Sequence, residues 1–196
     1  DVESRGLGDV YKRQYLPHAG KAVDVSSVLP DGGRLLPSGT DVMFDSRTHW
    51  MTDAEGGNYR VFAIEGSDAQ RGDATGENMI ERYCTGNFLA GQRLIYASAS
   101  GLPVGRYVFK AVAQKGADGG VIELFANDDR SPVTSVKVLR ETEVATDVLD
   151  QDLTVGVESG LNNACQWVSF ADVALEYQSP YLSLIHISEP TRLDVI

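Results

Sequence analysis

The stretch Gln92–Gln114 reads QRLIYASASGLPVGRYVFKAVAQ, two alternating apolar and polar runs on either side of Gly101-Leu102-Pro103-Val104-Gly105. Pro103 holds φ where a turn needs it, and Gly105 can take a positive φ that side chains resist. After the turn, Tyr107, Phe109, Ala111 and Ala113 share one face, while Arg106, Lys110 and Gln114 share the other. A period of two with one apolar face is the mark of a strand buried on one side. The two runs are therefore expected to form a central hairpin.

The same grammar extends outward. Lys21–Val28 (KAVDVSSV) reads as a first strand, followed by the turn cluster Pro30-Asp31-Gly32-Gly33. Thr40–Asp45 (TDVMFD) and Tyr59–Ile64 (YRVFAI) are further strands. The second is apolar on both sides, which predicts a place in the middle of a sheet. Glu65–Asn78 (EGSDAQRGDATGEN) has almost nothing to bury and reads as a long surface loop, of the length used for binding loops or disordered excursions. Beyond the hairpin, Val121–Ala126, Ser135–Leu139, Leu153–Glu158 and Trp167–Tyr177 complete the set. Strands separated by short Gly, Asn and Asp turns, without helical periodicity, predict an all-β antiparallel β-sandwich of the jelly-roll kind.

The chain has 196 residues, and 17 Lys and Arg against 28 Asp and Glu give a net charge of −11. That balance argues against nucleic acid held through its phosphates and against an anionic membrane surface. No apolar run is long enough for membrane insertion as a spanning helix. The two ends carry a different signal. Asp9-Val10-Tyr11-Lys12-Arg13-Gln14 can be encoded GAT GTG TAT AAG AGA CAG, whose reverse complement reads Leu-Ser-Leu-Ile-His-Ile, the residues at Leu182–Ile187. Such a bracketing pair resembles translated sequencing adapter, so residues 1–14 and 182–196 are set aside as non-native and 15–181 is taken as one β-sandwich domain. The natural protein is then expected to be larger, and a leader peptide could lie outside this sequence.

Several segments in order resemble a known family. Ala99-Ser100-Gly101-Leu102-Pro103-Val104-Gly105-Arg106-Tyr107, Leu124-Phe125-Ala126-Asn127 and Ser131-Pro132-Val133 come first. Leu153-Thr154-Val155-Gly156-Val157 and Trp167-Val168-Ser169-Phe170-Ala171-Asp172-Val173-Ala174-Leu175-Glu176-Tyr177 follow. In this order they resemble the motifs of galactose-binding-like jelly-roll domains, over about Glu81–Tyr177. The resemblance implies a carbohydrate-binding module, secreted or at the cell surface, attached to a larger glycan-degrading or surface protein of gut bacteria. The implied partner is a glycan, together with a neighbouring domain of the same parent chain. Members commonly open with an Asn-Pro-Asp-Phe-Glu-like segment and a Gly-Trp pair that build a structural calcium site. Here Leu29-Pro30-Asp31-Gly32-Gly33 stands in that place and Trp50 follows Thr48-His49, so no calcium or other cofactor is expected.

Sugar binding needs an aromatic face against C–H groups, flanked by amides, carboxylates or Arg for the hydroxyls. Trp50, Tyr83 and Trp167 are the aromatics near loops, Arg82 can fork onto vicinal hydroxyls, and Asn163 lies in the polar turn before Trp167. The alternative for each Trp is a place at one end of the core with its N–H on a carbonyl. For Arg82 it is a surface ion pair. Cys84 and Cys165, the only cysteines, are either a disulfide between distant segments or two separate buried thiols. Asn127-Asp128-Asp129 and Asp68, Asp73 and Glu77 offer oxygen ligands, without the spacing of an EF-hand, and read as solvated turns. His18 and His49 alone remain outside the ends, HExxH and GxSxG are absent, and no carboxylate pair stands out. The expectation is a non-catalytic module, with a structural or protein-interaction sandwich as the alternative.

Overall fold

A computed structural model of the chain describes residues 22–33, 35, 50–53, 58–64, 68–116, 120–161 and 165–180. The strand expected at Thr40–Asp45 and the two set-aside ends lie outside the described residues. The strands are β1 (Val23–Asp24), β2 (Asn58–Ala63), β3 (Asn78–Tyr83), β4 (Arg93–Ala99), β5 (Gly105–Lys115), β6 (Ile122–Ala126), β7 (Asp129–Pro132), β8 (Arg140–Val148), β9 (Leu153–Ser159) and β10 (Trp167–Pro180). They form an antiparallel β-sandwich. The larger sheet runs β2-β3-β10-β5-β8, with β1 also paired to β10; the smaller runs β4-β9-β6-β7.

The core lies between the sheets. Phe109, Phe170, Leu175 and Val168 from the larger sheet meet Leu94, Ile95, Leu124 and Val157 from the smaller, all without solvent exposure. Each such side chain contributes about 1.5–3 kcal/mol by leaving water. The inward set Tyr107, Phe109, Ala111 and Ala113 is the one that the β5 alternation predicts.

The expected hairpin is instead a crossover. β4 pairs with β9 in one sheet, whereas β5 pairs with β10 and β8 in the other. An inward apolar face is needed in both sheets, so the alternation is the same either way; the connection simply carries the chain across the sandwich. It is pinned by two core tyrosines. Tyr107 donates its hydroxyl to the Pro103 carbonyl at 2.7 Å and Tyr177 donates to the Val104 carbonyl at 3.4 Å, their rings meeting edge-on at 5.0 Å. The positive φ of this corner falls at Gly101, +71°, rather than at Gly105.

Three other expectations change. β2 is an edge strand of the larger sheet and not a central one. Its two-sided apolarity is accounted for in part by Ile64, the residue after it, which packs in a second apolar cluster on the outside of that sheet. Ser135–Leu139 is a connection held by a single bridge between Val136 and Lys115, and the real strand is β8, which follows it. The loop after β2 is no loose excursion. Its described part, Asp68–Asn78, begins with one helical turn (α1, Asp68–Arg71) and lies as a strap across the outer face of the larger sheet.

The strap is fastened at both sides. At its far side the Asp73 amide donates to the Leu139 carbonyl at 3.0 Å. The Asp73 carboxylate accepts from Arg140 at 2.7 Å and from the Glu141 amide at 3.1 Å. The Glu141 amide first, and then Arg140, hold this carboxyl below its ordinary pKa. Gly72, at φ +57°, lies so close to the Leu139 carbonyl that a Cβ would overlap it. Nearer the middle, Asp172 stands in a bulge of β10 between Ala171 and Ala174, at φ +49°. Its carboxylate accepts from the Thr75 amide at 2.5 Å, the Gly76 amide at 2.8 Å and the Thr75 hydroxyl at 3.0 Å. Beneath the strap, Ile64, Ala74, Met79, Val112, Leu139 and Ala171 form the outer cluster.

Candidate functional site

β10 is the central strand of the larger sheet, and its first turn of sequence sets the site. Trp167 is in register with Tyr83 of β3. Directly opposed residues of an antiparallel pair point to one side with Cβ atoms about 4.5–5.5 Å apart. Alternation fixes that side as the outer one, because Ile80, Val168 and Phe170 face the core. Tyr83 is 36% exposed and Trp167 is half-buried. The indole of Trp167 leans over Gly116, whose missing side chain leaves it the room, and the Gly116 amide donates to the Trp167 carbonyl at 3.0 Å.

Below this pair, on the same face, comes the row of Glu81, Ser169 and Gln114. Ser169 donates to Glu81 at 3.4 Å, and Gln114 donates Nε2 to the thioether of Met79 at 3.8 Å. A thioether is a weak acceptor. A cavity of about 240 Å³ opens here, between the strap and Trp167. Ile64, Met79 and Leu139 form its apolar wall, Gln70, Gln114 and Lys137 its polar groups, and Trp167 its rim. The volume lies slightly below the range usual for small-molecule sites, while the composition, mostly apolar with a few converging polar groups, follows their pattern.

The site residues expected from sequence divide sharply. Trp167 and Tyr83 are brought together on an accessible face. Trp50 is not a surface aromatic: it is 3% exposed, in the core, edge-on to Phe170 at 5.3 Å. Arg82 is 1% exposed and on the inner side of β3. It donates to the Tyr83 carbonyl at 2.5 Å and lies 5.9 Å from the Phe88 ring centroid. Burial there takes its side chain off the surface. Asn163 lies outside the described residues. Gln70, Gln114 and Lys137 were not singled out. Gln114 was legible only as a member of the polar side of β5, and nothing in the sequence marks the strap that encloses it.

A second, larger cleft of about 510 Å³ lies on the other side of the strap, lined by glycines, Ser26, Thr75 and the carboxyl-bearing Asp24, Glu77 and Asp172 among others. It has no aromatic surface, and two of its three carboxylates, those of Asp172 and Asp24, are engaged. Asp172 holds the strap. Asp24 accepts from the Ser26 hydroxyl at 2.6 Å and the Ser26 amide at 2.9 Å, bonds that lower its pKa. Among the described residues no group of three or more His, Cys, Asp or Glu side chains is placed to hold a metal. Asn127 of the Asn127-Asp128-Asp129 turn is structural: at φ +49° it accepts from the Thr154 amide at 2.8 Å and donates to the Asp152 carbonyl at 3.1 Å. Among the described residues no helix is long and apolar enough to cross a membrane.

No protein-family model matches the chain, and no curated protein matches it. Solved structures do resemble it. The Stig cyclase FisC of Fischerella sp. TAU, in complex with an indole derivative, is 17% identical with a TM-score of 0.57, covering 82% of this chain and 100% of that one. The CBM22-1 xylan-binding domain of Paenibacillus barcinonensis Xyn10C is 10% identical with a TM-score of 0.50, covering 83% and 98%. TmCBM61 in complex with β-1,4-galactotriose is 15% identical with a TM-score of 0.49, covering 76% and 93%. At these identities the likeness is one of fold, a β-sandwich used both by carbohydrate-binding modules and by a cyclase.

Proposed function

We propose that this chain is a non-catalytic carbohydrate-binding module, an accessory part of a larger secreted or cell-surface protein, and that its sugar lies on the outer face of the larger sheet. The observation that carries this reading is Trp167 at the rim of a cavity with amides and an ammonium group at its wall, with Tyr83 in register beside it on the same face. A pyranose offers an apolar C–H face to the rings, and its hydroxyls suit Gln70, Gln114 and Lys137. Gln114 gives up only a thioether contact in exchange for a hydroxyl. Fold alone does not choose between binder and enzyme. A module that merely packed against a neighbouring domain would need a broad apolar surface, whereas a recessed site with converging polar groups suits a small polar ligand.

The test is a glycan array, followed by calorimetry on the best hit, xylan fragments included. Trp167→Ala is expected to raise Kd at least tenfold, about 1.4 kcal/mol, and Tyr83→Ala by roughly three- to tenfold. Trp50→Ala serves as the contrast, because it removes core packing and lowers stability by about 3–5 kcal/mol without touching the ligand. A well-folded protein that is silent across the array, or binding unaltered in a folded Trp167→Ala variant, overturns the assignment.

A further inference from the structure

The cavity beside Trp167 has a charge balance opposite to that of the whole chain. Asp and Glu outnumber Lys and Arg by 28 to 17, yet among the described residues no carboxylate lines this cavity. Its polar groups are two amides, Gln70 and Gln114, and one ammonium, Lys137. An amide both donates and accepts, whereas an ammonium has three N–H groups to give and nothing to accept with. Gln114 is 7% exposed, and among the described residues its Nε2 donates only to the Met79 thioether, at 3.8 Å. Two carboxylates on this side of the sheet are engaged elsewhere: Glu81 accepts from Ser169 at 3.4 Å, and Asp73 from Arg140 at 2.7 Å. Among the described residues the Lys137 ammonium takes part in no hydrogen bond or ion pair. Its backbone is nevertheless held firmly. Lys137 has φ +58°, which a residue with a side chain adopts only under strain. Its amide donates to the Lys115 carbonyl at 3.0 Å, and the neighbouring Val136 bridges to Lys115 of β5. Two residues on, the Leu139 amide donates to the Gln70 carbonyl of the strap at 3.2 Å. The lysine is thus set between β5, which supplies Gln114, and the strap, which supplies Gln70.

We propose that the sugar bound in this cavity carries a carboxylate, as a uronic acid residue of an acidic glycan, and that Lys137 and Gln114 hold that carboxylate while Trp167 meets the ring. The inference rests on the sugar reading and names its substrate class. A carboxylate has only acceptors to offer, which is what an ammonium and an under-used amide N–H require. Charge-assisted bonds of this kind are about twice as strong as those to a neutral hydroxyl. A neutral sugar would find no carboxylate in the lining to accept from its hydroxyls, and would leave the ammonium with uncharged partners alone. The net charge of −11 does not oppose an anionic ligand here, because physiological salt screens exposed charges beyond roughly 8 Å.

The experiment is calorimetry on the full chain with trisaccharides of galacturonic, glucuronic and mannuronic acid, each beside its methyl ester, which keeps the sugar and removes the charge. At least one acid should bind about tenfold or more tightly than its ester, and its advantage should shrink as salt is raised. Lys137→Met keeps the apolar stem without the charge and should bring the ratio of acid to ester affinity close to one. Lys137→Gly, which also relieves the positive φ, should do the same, so the result does not hang on the folding of one variant. An ester bound as well as its acid, neutral saccharides bound in preference to every acid, or an acid preference that survives in folded Lys137→Met would each overturn this inference and leave the sugar reading standing. Silence from the folded protein towards acids, esters and neutral glycans alike would overturn both.

Discussion

β10 shows the same outward face twice, with opposite chemistry. At its start the outward residues are Trp167, Ser169 and Ala171, flanked by Tyr83, Gln114 and Val112; past the bulge they are Ala174, Glu176 and Gln178. The first stretch lies beside or under the strap, where it acquires an apolar cluster and a cavity. The second is wet and charged: Glu176 pairs with Lys110 at 2.8 Å and accepts from Gln178 at 3.0 Å. What separates them is Asp172, which breaks the register and holds the strap. A strand pattern therefore tells which side a residue faces, whereas the chain that crosses that side decides whether the side is solvent or site.

The sharpest way to break the contrast is to release the strap. Asp172→Ala deprives two backbone amides and a hydroxyl of a charged acceptor. It should lower stability by about 2–3 kcal/mol, read by urea unfolding, with amide protection lost first at Thr75 and Gly76. Asp172→Asn keeps an acceptor oxygen and should recover part of the loss. If Asp172→Ala leaves protection at those amides unaltered, the strap is held elsewhere and the division of the face does not rest on the bulge.

A smaller perturbation sharpens the comparison on the aromatic side alone. Gly116→Ala puts a methyl group where the Trp167 indole lies, so the ring must swing outward. Tryptophan fluorescence should shift to the red and glycan affinity should fall by roughly three- to tenfold, about 0.7–1.4 kcal/mol, while the Lys110–Glu176 side is unaffected. Unchanged emission would mean that the indole does not rest on the strand.

Much of the fold was legible, and for a clear reason. In β5, β9 and β10 burial is written residue by residue as alternation, and those inward sets are the ones found in the core. Sheet membership was not legible, since β4 and β5 each need an inward face whichever sheet they join. The strap escaped for a related reason: it is fastened through main-chain groups, a glycine contact and two carboxylates, features that in sequence look like any polar loop. At the candidate site, the sequence could name Trp167 and Tyr83, which lie at the surface, but could not separate them from Trp50 and Arg82, which are buried. The sequence neighbourhood of Trp50 resembles that of a surface aromatic, and only packing against Phe170 shows otherwise. Arg82 follows from strand parity once β3 is known to be a strand, because it is an even step from Ile80.

The smallest effect concerns the charged half of the same face. Lys110 has its pKa raised by its hydrogen bond to Glu176, with Glu143 and Glu141 adding attraction. A folded-state pKa above the unfolded one means that the pair contributes fully at pH values below about 10.4, the unfolded lysine value, and is lost as pH rises through the raised one. The two side chains are 29% and 26% exposed, so solvent screens them, and the contribution is of the order of 0.5 kcal/mol. Lys110→Met should therefore be about that much less stable than the wild type in urea at pH 7, and the difference should vanish once pH has risen through the raised lysine value. Glycan affinity should not move with it, because Lys110 lies on the far side of the strap from Trp167. A Lys110 variant that weakened binding as much as Gly116→Ala would show that the ligand spans both halves of the face and that the strap does not divide it.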